Sequence, residues 1–439
     1  MAATAIVMGA GLGGMSAAFR LHEAGVNVRV LEKEDRVGGR TSTIERDGFR
    51  IDRAASLFAN SYEALSRLVR DAGLADQLVP ASELLAIHRD GRNHPLRASS
   101  KLDAVRTSAL SWRGKLSMIR VLRDLTRMKA DLDWYDLGKA AKWDTESSAD
   151  YARRRGLHEV LDYVIDPAVQ LLTLSNPEET SVVDFFFGFA HVFGRSFFNS
   201  AKGVDFVCRG IAEHIEVITQ AQVVDVEESA AGIEVTWVDP SGVQRVEAAD
   251  YCVLSGSAGP ILQVYPGLDA TRRKIMEDIR YSKGISVHAA LAARPAEKAM
   301  FIQVPGKESS GLTGVILDHN KAEGRAPEGK GLLTGYFGDA WTERMWERPD
   351  EEICAAGIEL MTPVVPELAK GVEFAMASRW DPAVVISRPG GYSDIAKLNA
   401  AAEPTSRVQL AGDFATVSLT NSSCSAGELA AQRIVDQLG

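Results

Sequence analysis

At 439 residues the chain is longer than a single hydrophobic core supports, so two or more domains are expected. A hydrophobic share of 46%, a charged share of 25% and a mean hydropathy near zero describe an ordinary soluble globular protein. The net charge of −10, with no extended Lys/Arg run, argues against a nucleic-acid partner, and Cys208, Cys252, Cys354 and Cys424 are too scattered for a metal site or a disulfide framework.

Ala5-Ile6-Val7-Met8 reads as a short buried strand with no basic leader ahead of it. No apolar run, 185–190 included, nears the ~20 residues of a membrane-spanning helix. A cytoplasmic protein is expected, with a peripheral membrane contact left open and the oligomeric state unassigned. The strand runs into Gly9-Ala10-Gly11-Leu12-Gly13-Gly14, a GxGxxG at Gly9, Gly11 and Gly14. Helical spacing then predicts a helix over 15–24, stopped by Gly25, and alternation predicts a strand over 26–31 that ends at Glu32. This order is a Rossmann fingerprint. Gly9 permits the turn off the strand, Gly11 lets a pyrophosphate approach the backbone, and Gly14 lets the helix sit on the sheet. The helix N-terminus offers free N–H groups and the positive end of its dipole. Glu32 is placed to accept from the hydroxyls of an adenosine ribose, and it disfavours a 2′-phosphate.

Lys33-Glu34-Asp35-Arg36-Val37-Gly38-Gly39-Arg40-Thr41 follows at once. Gly38 and Gly39 bring backbone amides towards a second phosphate, and the Arg40 guanidinium suits a pair of phosphate oxygens, with Lys33 and Thr41 at either end of the segment. Beyond it, apolar residues at three- and four-residue spacing predict helices over 111–129, 148–155 and 158–172. The phenylalanines of 185–198 suit core packing first and a wall against an apolar substrate second. Residues 221–227, a hairpin over 233–238 and 244–248, and 251–255 read as strands, as do 285–293, 312–317 and 332–337. Residues 321–331, rich in Lys, Glu, Gly and Pro, read as an exposed loop. A last strand over 408–413 ends in Gly412-Asp413, and a helix over 426–438 follows Asn421-Ser422-Ser423.

Gly38-Gly39-Arg40 behind the fingerprint, the strand–Gly412-Asp413–loop–helix at the other end, and 221–227 between them resemble the FAD-dependent amine oxidase, protoporphyrinogen oxidase and phytoene desaturase superfamily. Residues 144–151, with Asp166-Pro167 and Asn176-Pro177-Glu178, are more similar to its protoporphyrinogen oxidase–desaturase branch. The resemblance implies one FAD, held by Gly9, Gly11, Gly14, Glu32, Lys33, Gly38, Gly39, Arg40 and Thr41. Val223 would cover the adenine, and Asp413, next to Gly412, would meet the ribityl or pyrophosphate region. Asn421 and Ser422 would face the flavin pyrimidine, where the helix dipole stabilises charge at N1 and O2. The implied fold is α/β: a Rossmann-type FAD-binding domain, discontinuous over 1–75, 203–260 and 388–439, with an inserted α+β substrate-binding domain over 76–202 (mostly helical) and 261–387.

The expected chemistry is dehydrogenation, with a hydride equivalent passing from a substrate C–H bond to flavin N5. Amine oxidases of this superfamily carry a lysine near N5. Alignment of Tyr281-Ser282-Lys283-Gly284-Ile285-Ser286-Val287-His288 puts Val287 there, with Lys283 off register. Gly412-Asp413 stands where that branch usually has Gly-Glu, and Ala54 of Asp52-Arg53-Ala54-Ala55 replaces a glycine. These departures favour desaturation of a hydrophobic cyclic or polycyclic small molecule, with O2 or another acceptor reoxidising the flavin. Amine oxidation to an imine, a carbonyl product and H2O2 is the alternative. A non-catalytic carrier of the Rab GDP-dissociation-inhibitor type is a further reading, opposed by Glu32, Gly38-Gly39-Arg40 and Gly412-Asp413, and a redox-neutral mutase or isomerase stays open. Trp380, Arg388, Tyr392 and Tyr336 are the candidates around the flavin, Arg388 as a clamp for a substrate carboxylate or carbonyl. His288, on an apolar strand, reads as a satisfied core histidine.

Overall fold

The computed structural model describes residues 2–415 and 417–439. Thr4–Met8 and Asn27–Leu31 are parallel neighbours, as alternating segments joined by one helical crossover must be. They belong to a five-stranded parallel sheet of order Glu216–Ile218, Asn27–Leu31, Thr4–Met8, Tyr251–Gly256, Val408–Gly412. One strand therefore separates the first strand of the chain from its last. The mixed α/β fold with this parallel sheet is the one expected from the sequence.

Helix Leu12–Glu23 starts three positions ahead of the periodic stretch, because the glycine loop itself supplies the first turn. Gly11, with extended backbone, is the N-cap, and Met15 N–H donates to its carbonyl at 2.9 Å. The final helix, Thr420–Leu438, lies tightly against it: a Cβ on Gly427 would stand 2.2 Å from Gly13 O. A three-stranded antiparallel unit, Gln222–Ser229, Gly232–Val238 and Gln244–Ala249, accompanies the parallel sheet.

The second large sheet has seven strands in the order Val372–Trp380, Gly284–Leu291, Gly331–Phe337, Leu312–Leu317, Phe301–Gln303, Leu84–Arg89, Arg92–Arg97. Its pairings are antiparallel except that of Phe301–Gln303 with Leu84–Arg89. Residues 76–202 are thus less purely helical than their periodicity suggests. Their hairpin turns at Asp90 (φ 52°) and Gly91 (φ 70°), the positive-φ pair of a tight hairpin turn. Trp112–Met128 and Ser148–Arg154 fall close to the expected helices. The helix expected over 158–172 is broken into His158–Val160, a widened π turn at Leu161–Ile165, and Asp166–Thr173. Pro167, which has no N–H to give to the preceding turn, accounts for the widening.

Phe185, Phe186 and Phe187 are fully buried in helix Val182–His191, with Phe187 edge-on to Trp134 and Phe186 to Tyr151. They are core. The four cysteines are free and buried. The exposed loop expected over 321–331 is corrected at its first two basic residues. Lys321 ends helix Asp318–Lys321 and Arg325 follows it, and both side chains are completely buried.

Candidate active site

Two glycine segments build one backbone floor at the start of helix Leu12–Glu23. Gly14 closes on Gly9 so tightly that a Cβ would stand 1.9 Å from Gly9 O. At Gly11 the space is open, with no neighbour within 4 Å of a Cβ placed there. Gly38 pairs with Gly11 as an isolated parallel bridge, and its N–H donates to Ala10 O at 2.8 Å. Gly39 lies against Gly11 at φ 54°. Glu32, buried at the end of its strand, accepts from Ala10 N–H at 2.6 Å and from Glu34 N–H at 2.9 Å. Burial raises the pKa of this carboxyl against the pull of those two donors.

The first turn of the final helix carries buried polar atoms without partners. Asn421 Oδ1 accepts from Leu65 N–H at 3.1 Å, but Asn421 Nδ2, Ser422 Oγ and Thr420 Oγ1 have no hydrogen bond among the described residues, nor does Ser42 Oγ. Such groups are rare in native interiors and mark a place shaped for polar atoms from elsewhere. Asp413, after the strand Val408–Gly412, accepts from Tyr281 OH at 2.9 Å. Arg40 reaches the same carboxylate, Nη2 to Asp413 Oδ2 at 2.6 Å, and its Nη1 donates to Ala383 O at 2.7 Å. Arg40 thereby ties the N-terminal glycine segment to the C-terminal Gly-Asp. Thr41 Oγ1 donates to Gly38 O at 2.7 Å and braces the turn. Lys33 instead projects to the surface beside Glu34, and Val223 is buried opposite Trp237 in a core cluster that includes Leu31.

A second constellation surrounds residues 52–56. Arg53 N–H donates to Ser42 O at 2.9 Å and Ala55 N–H to Arg40 O at 3.2 Å, so this loop sits directly on the 40–42 segment. From the seven-stranded sheet, Ser286 Oγ (2.8 Å) and Trp380 Nε1 (3.2 Å) donate to Arg53 O, and Tyr336 OH donates to Ala54 O at 3.1 Å. The loop is the junction of the two sheets. Ala54 is not among the residues with positive φ, so its backbone has no need of the glycine usual there. Arg53 lays its guanidinium 4.8 Å over the Trp380 ring.

Strand Gly284–Leu291 turns Ser286 to this loop, with His288 two residues on along the same face. Val287 points the other way, into a core cluster with Ile353 and Met361. The expectation that Val287 takes the place beside the flavin is therefore corrected: period-two alternation turns it to the core. Lys283 is also elsewhere, 3.4 Å from Asp381 and over the Trp346 ring. His288 is satisfied at both nitrogens, Nδ1 with Thr334 Oγ1 at 3.0 Å and Nε2 with Ser378 Oγ at 3.1 Å. Burial lowers its pKa to about 4, so it is neutral at physiological pH. Thr334 gives its own proton to Asp318 Oδ2 at 2.7 Å, which leaves its oxygen to accept from His288 Nδ1–H.

Behind the loop lies a buried quartet that the sequence did not announce. Lys321 Nζ meets Asp52 Oδ2 at 2.8 Å, Ser56 Oγ at 2.6 Å and Asp318. Arg325 Nη1 meets Asp52 Oδ1 at 2.9 Å, and Nη2 donates to Ser200 O at 2.9 Å. Of the four candidates around the flavin, Trp380 and Tyr336 meet at the loop. Tyr392 does not: it is wholly buried, donating from its OH to Asp184 Oδ1 at 2.8 Å and from its N–H to Asp144 Oδ2 at 2.8 Å. Arg388 is exposed and donates to Asp278 O at 3.4 Å. The alternation of Ser286 and His288 with Ile285, Val287 and Ala289 was the available signal for the inward face. Nothing in the sequence links Asp52 to Lys321 or tells Lys321 from a surface charge.

Residues 12–435 match the family described as flavin containing amine oxidoreductase. Phytoene desaturase of Cercospora nicotianae is 37% identical over 129 residues, 28% of this chain and 20% of that protein. Flavin-containing amine oxidase B of Bos taurus is 39% identical over 95 residues (21% and 18%), and mitochondrial protoporphyrinogen oxidase of Nicotiana tabacum 28% identical over 178 (40% and 34%). These matches span about a third or less of each relative. Among solved structures, cyclohexylamine oxidase from Brevibacterium oxydans superposes with a TM-score of 0.76, covering 100% of both chains at 19% identity. Putrescine oxidase bound to putrescine gives 0.77, covering 100% of this chain and 99% of that one at 16% identity. At such identities the likeness is one of fold. The family match over nearly the whole chain settles the family: the protein belongs to the flavin containing amine oxidoreductase family.

Proposed function

We propose that FAD binds along the floor of Gly9, Gly11, Gly14, Gly38 and Gly39, with its ribose at Glu32 and its flavin towards Thr420, Asn421 and Ser422. On this reading the protein dehydrogenates a hydrophobic cyclic or polycyclic molecule held against Arg53–Ala55, Tyr336 and Trp380. The open space at Gly11 and the unpartnered polar atoms of Ser42, Thr420, Asn421 and Ser422 fit that cofactor. Bound FAD supplies the hydride acceptor at N5, and O2 or another acceptor takes the electrons onward. Residues 1–75, 203–260 and 388–439 form the FAD-binding part, and 76–202 with 261–387 the substrate-binding part.

The chain's own residues position and exclude. Ser286, Tyr336 and Trp380 fix the carbonyls of Arg53 and Ala54, which sets the height of the loop over the 40–42 segment. His288 stays neutral behind it and keeps Ser378 and Thr334 in register.

One observation carries the choice of substrate. Arg53 holds a guanidinium over Trp380 and makes no ion pair among the described residues. A positive charge held at this wall disfavours a protonated amine and tolerates a neutral or anionic ring compound. Amine oxidation is the second reading, favoured by the two amine oxidases that share the fold over the whole chain. The test is anaerobic mixing of the yellow protein with cyclic ketones or acids, polycyclic compounds and amines. Bleaching of the flavin bands by a ring compound, with no ammonia or alkylamine released, supports dehydrogenation at carbon. Bleaching by amines alone, with release of ammonia or an alkylamine, overturns it.

A further inference from the structure

We propose that the face formed by helices Lys101–Arg106 and Trp112–Met128 docks this protein onto the surface of an anionic lipid bilayer. The inference rests on that surface alone and not on the identity of the substrate.

Six of the ten large apolar side chains exposed among the described residues fall between 102 and 122: Leu102, Val105, Trp112, Leu116, Ile119 and Leu122, each at least half exposed. Trp112, Leu116 and Ile119 follow helical spacing. The opposite face of the same helix buries Gly114, Val121 and Met128 against the core, with Met118 and Leu125 beside them. The helix therefore has one apolar face for the protein and a second with nothing on it. Isolated exposed apolar residues need no explanation, but a contiguous set of this size marks an interaction surface.

Charge selects the partner. Between 102 and 129 the sequence holds seven basic residues against two acidic ones, in a chain whose net charge is −10. Both acids are engaged by the protein itself. Asp124 accepts from Tyr151 OH and Arg155 Nε at 2.9 Å each, and Asp103 accepts from Arg97 N–H at 3.0 Å. Arg113, Lys115, Arg120 and Arg123 make no salt bridge among the described residues, and all but the half-buried Lys115 are exposed. Along the helix Arg113 and Arg120 run down one side of the apolar stripe, and Lys115 and Arg123 are interspersed with it. An apolar stripe with tryptophan and leucine, edged by arginine and lysine, is the pattern of a helix lying in the headgroup layer. No helix among the described residues is long and apolar enough to cross a membrane, so the contact is one of lying on the surface.

The experiment is co-sedimentation of the full-length, FAD-loaded protein with vesicles of phosphatidylcholine alone and of phosphatidylcholine with about a third phosphatidylglycerol. Capture is expected on the anionic vesicles and not on the neutral ones, weakening as salt is added. Each arginine near such a surface is worth about fivefold in partitioning, so Arg113→Glu/Arg120→Glu/Arg123→Glu should lose at least a hundredfold. Leu116→Gln/Ile119→Gln should lose at least about tenfold. Both variants change only exposed side chains and should keep the flavin spectrum. Failure of the wild-type protein to bind anionic vesicles overturns the proposal, as does undiminished binding by the variants. A wild-type dimer that Leu116→Gln/Ile119→Gln converts to monomer, with no vesicle binding in either form, assigns the face to a second copy of the chain instead.

Discussion

Lys321 lies at a position with no solvent exposure, where Asp52 and Asp318 face it and Arg325 balances the set. Desolvation pushes the Asp52 carboxyl up, yet Lys321 and Arg325 outweigh it and hold the group below its ordinary range. That stabilisation is present at neutral pH and is lost as pH falls through the folded-state value. Removing one member leaves an uncompensated charge inside the protein. Lys321→Met should therefore cost about 3–5 kcal/mol. Adding Asp318→Asn leaves the neutral Asp52–Arg325 pair and should restore a large part of that loss. Urea unfolding of the singles and the double measures the coupling, and a double variant no better than the sum of its parts would mean that the four charges do not act together. The composition of 321–331 gave no warning, because Lys, Glu, Gly and Pro in sequence describe an exposed turn equally well. Only the fold, which brings 52 against 318–325, tells a buried charge from a solvated one.

Elements were legible where their signal was local. The apolar strand at 5–8, the alternating strand at 26–31, the helices at 111–129 and 148–155, and the hairpin at 233–248 all lie within a few residues of expectation. The strands Leu84–Arg89 and Arg92–Arg97 were overlooked although Asp90-Gly91 announces their turn, since helical spacing elsewhere in 76–202 dominated the reading. Where helices meet, a second prediction follows. Asp184, in the first turn of helix Val182–His191, is buried against Tyr392 of helix Gly391–Ala400, and burial raises its pKa to about 8. The folded state therefore holds a proton on Asp184 that the unfolded chain releases near pH 4, and stability contributed by this group falls as pH rises from about 4 to about 8. The shift bounds the effect at about 5 kcal/mol. Asp184→Asn copies the protonated form. Its melting temperature should equal that of the wild type at about pH 4 and exceed it at pH 9. Parallel melting curves for the two proteins across that range would show that Asp184 does not titrate in this window.

At the scale of the molecule, the cofactor region draws on both ends of the chain. Gly9–Thr41 provides the floor and Thr420–Ser422 the unpartnered donors, and the sheet order puts Thr4–Met8 and Val408–Gly412 one strand apart. In this proposed cofactor region each piece is a short motif with its own physical reason, so the sequence could name it. For the proposed substrate wall the sequence offers Tyr336 and Trp380, but no local pattern links them to residues 53 and 286. On the proposed placement FAD would be a clamp between chain ends that the unfolded chain cannot supply together. A ligand that binds only the folded state stabilises it by about 2.7 kcal/mol at a hundred times its Kd. Stripping FAD should lower the melting temperature, and the loss should be uneven. Amide exchange should rise at Leu12–Met15 and Thr420–Ser422, whose buried polar groups lose their partners. It should stay slow in Gly284–Leu291, which is buried along its whole length in the other sheet. Exchange that rises equally in both sheets would mean that the cofactor holds the whole molecule rather than its two ends. No change at the start of the final helix would remove Asn421 and Ser422 from the site.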